Sequence, residues 1–223
     1  MSINRYLEHT FLKPTISSEI VVSMVQAGME NQLSGICIPP YWVKKAAREI
    51  STEHALNVVT VVGFPLGYQQ SESKVTETVD ACNNGANEID MVMNLAAFRE
   101  NPKSWVKPEI AKLASICHDH GAILKVILET AYLTDKEIAT ACRIAQDAGA
   151  DFVKTSTGFA PEGAKVEHIK LMRSVVGVEM GIKASGGIKT LDQALAMIEA
   201  GADRIGTSSG VEIVNEWRKR EQH

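Results

Sequence analysis

This chain has no basic surplus, no paired metal-binding cysteines and no long apolar run, and each absence closes off a class of function. Its 223 residues carry 23 Lys and Arg against 27 Asp and Glu, a net charge of −4. That balance supplies neither a nucleic-acid surface nor a polybasic membrane patch, so neither partner is expected. The four cysteines, Cys37, Cys82, Cys117 and Cys142, lie far apart with no C-x-x-C pair. A zinc site or a disulfide framework is therefore not expected, and the thiols read as reduced and buried in a cytoplasmic protein. Met1 to Lys13 mixes polar and apolar residues without an apolar h-region, so no signal peptide is expected. No apolar run approaches the length of a membrane span. No cluster of metal ligands stands out, and no metal is expected. No G-x-G-x-x-G follows an early strand, which counts against a doubly wound open sheet. No linker or low-complexity stretch interrupts the pattern, so residues 1–223 are expected to form a single domain.

What is present is a rhythm. The hydrophobic fraction is 45%, enough to fill a sizeable core. Short β-branched runs alternate with amphipathic ones. The runs Gly35 to Ile38, Val58 to Val62, Glu88 to Met93, Ile123 to Leu128, Phe152 to Thr155, Met180 to Ala184 and Arg204 to Gly206 predict strands. Leu7 to Thr10 is the expected first strand, poor in propensity but needed to feed the helix start at Ser17-Ser18-Glu19. Helical spacing of apolar residues marks Ile20 to Met29, Trp42 to Ile50, Val75 to Cys82, Ile110 to Cys117, Ile138 to Ala148, Val166 to Val175, Leu191 to Ile198 and Val211 to Arg220. A turn recurs before three strands, as Asn84-Gly85-Ala86-Asn87, Ala148-Gly149-Ala150-Asp151 and Ala200-Gly201-Ala202-Asp203. Each places a glycine at a helix C-terminus. Alternating elements and equivalent turns predict parallel βαβ units closing into an α/β fold, the (β/α)8 TIM barrel.

Active sites of such barrels lie at the C-terminal ends of the strands. Lys154 sits within the strand Phe152 to Thr155. A lysine there has work or a buried ion-pair partner, and the sequence leaves both open. Lys183 lies one βα unit further on, at an equivalent depth. Two ammonium groups brought close would lower a pKa and free a nucleophilic amine. Asp90, flanked by apolar residues, is either a structural partner for a cation or a proton relay. Lys125 is a candidate partner for Asp90, and Glu129, ending that strand, a candidate to orient a substrate hydroxyl. Gly186-Gly187 and Gly206-Thr207-Ser208-Ser209-Gly210 follow the last two strands. They fit either a phosphate cradle at a helix N-terminus or ordinary turn chemistry. His9 and Thr10 end the first strand within reach of a substrate, and an ordinary hydrogen-bonded histidine is the other reading. Gly63-Phe64-Pro65-Leu66-Gly67 is a rigid loop at the same end. His118 and His120 read as solvated, and Trp42, Trp105 and Trp217 as packing or interface residues.

Phe152-Val153-Lys154-Thr155-Ser156-Thr157-Gly158-Phe159 resembles the lysine segment of the 2-deoxyribose-5-phosphate aldolase family. The resemblance runs nearly end to end. It takes in His9-Thr10 with Leu12-Lys13-Pro14, Ile36-Cys37-Ile38, Val62-Gly63-Phe64-Pro65 with Gly67, Glu88 to Val92, and Leu124 to Thr130. Lys183 with Ser185-Gly186-Gly187 and Gly206 to Gly210 complete it. The resemblance implies a lyase, a class I aldolase without a cofactor. Such an enzyme cleaves 2-deoxy-D-ribose 5-phosphate reversibly to D-glyceraldehyde 3-phosphate and acetaldehyde. It implies Lys154 as the Schiff-base lysine, and Asp90 and Lys183 as its proton-relay pair. Thr155, Gly186, Gly187, Gly206, Ser208 and Ser209 would contact substrate and phosphate, and the chain would form a homodimer or homotetramer. Some family members end in a tyrosine tail proposed to assist proton transfer. This chain ends Arg218-Lys219-Arg220-Glu221-Gln222-His223, with tyrosines at 6, 41, 68 and 132. A different phosphate-binding barrel aldolase or isomerase, or a non-catalytic sugar-phosphate binder, are the competing readings.

Overall fold

Side chains alternate across a strand, so in a closed sheet every second residue points to the barrel axis and the others toward the surrounding helices. The computed structural model describes residues 2–51 and 53–222. Among these, eight parallel strands close into a barrel in sequence order: β1 Leu7–Thr10, β2 Gly35–Ile38, β3 Asn57–Val62, β4 Glu88–Val92, β5 Ile123–Ile127, β6 Phe152–Lys154, β7 Gly181–Ser185 and β8 Arg204–Thr207. Helices pack outside: α1 Ser18–Glu30, α2 Val43–Glu49, α3 Ser71–Asn83, α4 Leu95–Glu100, α5 Lys107–Asp119, α6 Asp135–Asp147, α7 Val166–Val176, α8 Leu191–Glu199 and α9 Gly210–Glu221. This is the expected (β/α)8 barrel. None of the described helices is long and apolar enough to cross a membrane.

The main core lies between sheet and helices. Ile36, Val58, Ile89, Leu124, Val126, Val153, Ile182 and Ile205 face outward into it. Reciprocal capping boxes, Thr134 with Glu137 and Thr190 with Gln193, fix the starts of α6 and α8. The interior is built differently. A small apolar cluster of Cys37, Val59 and Val61 occupies one side. Much of the rest is charged, whereas barrel interiors are ordinarily filled by branched aliphatics. Lys125 stands level with Asp90 and with Phe152, and Phe152 with Gly181. Lys154 stands level with Lys183, and Lys183 with Arg204. A Cβ on Gly181 would meet the Phe152 ring at 2.2 Å, so the glycine makes room for an aromatic floor. Lys125 and Arg204 lie 6.0 and 5.8 Å from that ring's centre.

The three repeated turns behave alike. Gly85, Gly149 and Gly201 take φ of 101°, 84° and 112°, a region that costs glycine little and other residues more. Two departures from the expected elements stand out. The short helix α4 has no counterpart in the periodicity. Helices α3 and α5 begin earlier than Val75 and Ile110, because their first turns are polar.

Candidate active site

Charged side chains from five strands meet on the barrel axis. Lys154, at the end of β6, donates to Asp90 Oδ2 at 2.8 Å, and Lys183 donates to the same oxygen at 2.6 Å. Lys125 donates to Asp90 Oδ1 at 2.9 Å. Lys183 also pairs with Glu8 of β1. Lys125 reaches Glu88 Oε2 at 2.5 Å and Glu8 Oε1 at 3.6 Å. Three carboxylates thus face three ammonium groups, all shielded from water. Burial disfavours the Asp90 carboxylate, but Lys125, Lys154 and Lys183 outweigh it and hold the carboxyl well below its usual range. Glu8 is likewise held low by Lys125 and Lys183 against its burial. Lys125 and Lys183 would be lowered by burial, yet Asp90 and Glu8 hold both above the ordinary lysine value. Burial pushes Glu88 up, only partly opposed by Lys125.

This arrangement refines the expected lysine pair. The two amines do stand level on adjacent strands, but Asp90 lies between them and Glu8 compensates Lys183 as well. Lys183 is a fully paired cation rather than a bare charge aimed at Lys154.

Above the cluster lies a pocket of about 490 Å³ at the C-terminal ends of the strands. Lys154, Thr10, Ser185 and Gly206 line its depth, Gly186, Gly187 and Ser208 one wall, and Phe159 another. Gly186 and Gly187 adopt φ of 87° and 81°, which turns the chain tightly. A Cβ on Gly163 would fall 2.1 Å from the Gly186 carbonyl, so that turn is braced by backbone alone. Gly206 has a steric duty too: a Cβ there would stand 3.0 Å from Lys183 Cε. Phe159 packs edge-on against Phe64, ring centres 5.3 Å apart, which joins the loop after β3 to this rim.

Several expected contacts fall elsewhere. Thr155, one residue past Lys154, points away from the pocket. Its hydroxyl donates to the Ser185 carbonyl at 3.1 Å and accepts from Ser185 N at 3.1 Å, tying β6 to β7. His9 faces outward by strand alternation and lines a separate cleft with Glu19 and Glu212. Burial lowers its pKa, and Glu212 opposes this. Ser209 sits at the start of α9 outside the pocket lining, its amide held by Thr207 Oγ1 at 2.9 Å. Glu129 does not face the pocket. It accepts from Thr157 N at 3.3 Å and from the Thr157 hydroxyl, so it shapes the loop that carries Phe159. Burial raises its carboxyl against those bonds. His118 is not simply solvated, since it pairs with Asp151 at 3.0 Å. Trp42 and Trp217 pack on the core, and Trp105 is 65% exposed. All four cysteines are free and buried. Among the described residues no trio of His, Cys, Asp or Glu is placed to hold a metal.

Glu8 and Arg204 were not singled out from the sequence. Their signal was alternation: Glu8 shares a face with Thr10, and Arg204 with Gly206. A larger cavity, about 890 Å³, opens at the opposite end of the barrel near Arg5, Gln32, His54 and Arg204. It contains none of the clustered lysines, and barrel enzymes work at the other face.

A closed parallel barrel with buried lysines beneath a glycine- and serine-walled pocket at its C-terminal face has the framework of a barrel enzyme. The model of the DeoC/LacD family of aldolases matches residues 9–216. The deoxyribose-phosphate aldolase of Thermococcus gammatolerans is 49% identical over 222 residues, 99% of each chain. That of Enterococcus faecalis is 47% identical over 215 residues, 96% of this chain and 97% of the relative. Among solved structures, "QR15, an Aldolase" is 41% identical with a TM-score of 0.94, covering 100% of this chain and 98% of that one. The deoxyribose phosphate aldolase of Aeropyrum pernix, described as a unique tetrameric structure, is 30% identical with a TM-score of 0.90, covering 98% and 92%. The chain belongs to the DeoC/LacD family of aldolases, and its reaction class is that of a lyase.

Proposed function

We propose that this chain is a deoxyribose-phosphate aldolase, cleaving 2-deoxy-D-ribose 5-phosphate reversibly to D-glyceraldehyde 3-phosphate and acetaldehyde. The observation that carries the mechanism is the position of Lys154. Of the three lysines in the buried cluster, it alone reaches the pocket. Its neutral amine adds to the open-chain aldehyde, and loss of water leaves a protonated imine. The imine is an electron sink, so the bond between the second and third sugar carbons breaks to an enamine as the third-carbon hydroxyl loses its proton. Asp90 and Lys183 hold the water that accepts that proton and later returns one to the enamine. Gly186, Gly187 and Ser208 anchor the phosphate, aided by the positive end of α9. No step calls on a cofactor.

The tetrameric relative supports a homo-oligomer, dimer or tetramer, whose size light scattering would give, and the four free cysteines support a cytoplasmic protein. The chemistry is tested by borohydride reduction with acetaldehyde, which should add the reduced two-carbon unit at Lys154. Lys154→Ala should lose the adduct and lower turnover of deoxyribose 5-phosphate by roughly a thousandfold or more, about 4 kcal/mol of barrier. An unmodified wild-type lysine, or full activity in the variant, would refute the assignment. Turnover should persist in the presence of a chelator.

A further inference from the structure

Two consecutive glycines can turn the chain in many ways, so a pocket wall built from Gly186 and Gly187 keeps its shape only if both ends are braced. At the near end the Ala164 amide donates to the Gly186 carbonyl at 3.1 Å and to the Ser185 carbonyl at 3.0 Å. The Ser185 hydroxyl adds a bond to the Ser156 carbonyl at 2.6 Å, which ties the same end to the loop after β6. At the far end the Ile188 carbonyl accepts from the Thr207 hydroxyl at 2.6 Å. That brace is a side chain, and it comes from the next strand, β8.

The same hydroxyl also acts on the second arm of the pocket wall. Its oxygen accepts from Ser209 N at 2.9 Å, which closes a tight turn around Ser208. Ser208 lies on the pocket wall, and α9 begins two residues later at Gly210. The Ser209 side chain does not cap that helix, so the amides of its first turn stay open to an anion. A hydroxyl has one proton to donate and lone pairs to accept with. Thr207 spends the proton on one arm and a lone pair on the other. It is buried, and strand alternation sets its side chain opposite to Gly206, off the axis on which Lys154 stands.

We propose that Thr207 is the positioning residue of the phosphate cradle. Through one hydroxyl it holds the Gly186-Gly187 arm and the Ser208 arm at a fixed spacing, and so sets the preference for a phosphorylated substrate. The inference rests on the phosphate reading of these two loops. A phosphate dianion is held by several donors at once. Donors already fixed in place avoid the ordering cost that two loose loops would incur on binding. Without the hydroxyl, the Ile188 carbonyl and the Ser209 amide each lose a partner. A polar group left unpaired away from water is costly, so each regains a partner by moving or by admitting water. Either response shifts an arm of the cradle. The Thr207 side chain lies off the axis, so the effect falls on phosphate binding rather than on the chemistry at Lys154.

Thr207→Val keeps the shape of the side chain and removes the hydroxyl. In the whole enzyme it should raise KM for 2-deoxy-D-ribose 5-phosphate and weaken competition by inorganic phosphate, each roughly tenfold, with a much smaller change in kcat. Thr207→Ala removes the same hydroxyl without a branched side chain and should show the same loss, so the test survives the misfolding of either variant. Thr207→Ser brings the hydroxyl back and should restore both values. Borohydride trapping of acetaldehyde at Lys154 is the phosphate-free readout. A general distortion of the barrel lowers trapping in step with phosphate affinity, and that parallel loss would overturn the inference. Hydroxyl-free variants that match the wild type in KM and in phosphate competition would overturn it too. The wild type separates the two readings. If inorganic phosphate does not compete there, the cradle reading fails and this inference with it. If phosphate competes equally well in the wild type and in the hydroxyl-free variants, only the role of Thr207 fails.

Discussion

Asp90 carries more of the site than any other single residue. One buried carboxylate serves three ammonium groups, so its removal strands positive charge where water cannot reach. Breaking such a pair costs about 3–5 kcal/mol. Asp90→Asn should therefore lower unfolding stability by that order and abolish turnover, as urea denaturation and a steady-state assay would show. A stable, active variant would mean that the cluster relaxes or hydrates. At this scale the sequence was uneven. Asp90, Lys125 and Lys183 were visible because each is a charge amid apolar strand residues. Glu8 was hidden, because Leu7-Glu8-His9-Thr10 has little apolar context to set it off. Thr155 was placed at the site by the family resemblance and His9 by its position at a strand end, and strand alternation turns each away from the axis.

At the scale of the element, the repeated Gly-Ala-Asn/Asp turn does more than cap a helix. Its fourth residue turns back to the start of the preceding strand. Asn87 Oδ1 accepts from Val58 N at 2.6 Å, Asp151 Oδ2 from Leu124 N at 2.7 Å, and Asp203 Oδ2 from Ile182 N at 2.8 Å. The same contact at the entry of β4, β6 and β8 pins three strands to their neighbours. Those strands carry Asp90, Lys154 and Arg204, so the turns set the depth at which the cluster assembles. Asn87→Ala leaves the Val58 amide without its acceptor, and the expected cost is about 1–3 kcal/mol. Thermal melts would measure it, and an unchanged midpoint would show that water replaces the bond. The turn was legible because it repeats. Helix α4 was not, since six residues are too few to establish a period, and its cap, Asn94 accepting from Ala97 N at 3.0 Å, is a single local signal.

For the molecule as a whole, the buried charges set a pH window. Asp90 and Glu8 have carboxyls held below their unfolded values near ~4. The stability they contribute is present above those values and is lost as pH falls through the lower folded ones. Lys125 and Lys183 are held above the unfolded lysine value of ~10.4. Their contribution is complete below it and is lost as pH rises through the folded values. Glu88 acts oppositely: its raised carboxyl makes ionisation a cost that appears above ~4.3. The lysine contribution should therefore hold on the alkaline side to about pH 10, while burial of the Cys37 and Cys142 thiols, pushed up to about 11 and about 12, adds a contribution that begins to fall above the unfolded thiol value of ~8.5. Urea midpoints across pH would check this, and a decline already complete by about pH 9 would contradict the pairing.

The sequence by itself determined the barrel, its strand order and the chemistry-bearing lysines and aspartate, because hydrophobic periodicity and repeated turns are local properties written at short range. Only the tertiary structure decided which side chains share the axis. Barrel closure brings β1 against β8, so Glu8 meets Lys183 across nearly the whole chain. Strand register then decides that Lys154 alone opens on the pocket while Lys125, Lys183, Glu8 and Glu88 stay beneath it, and no short-range pattern records that depth.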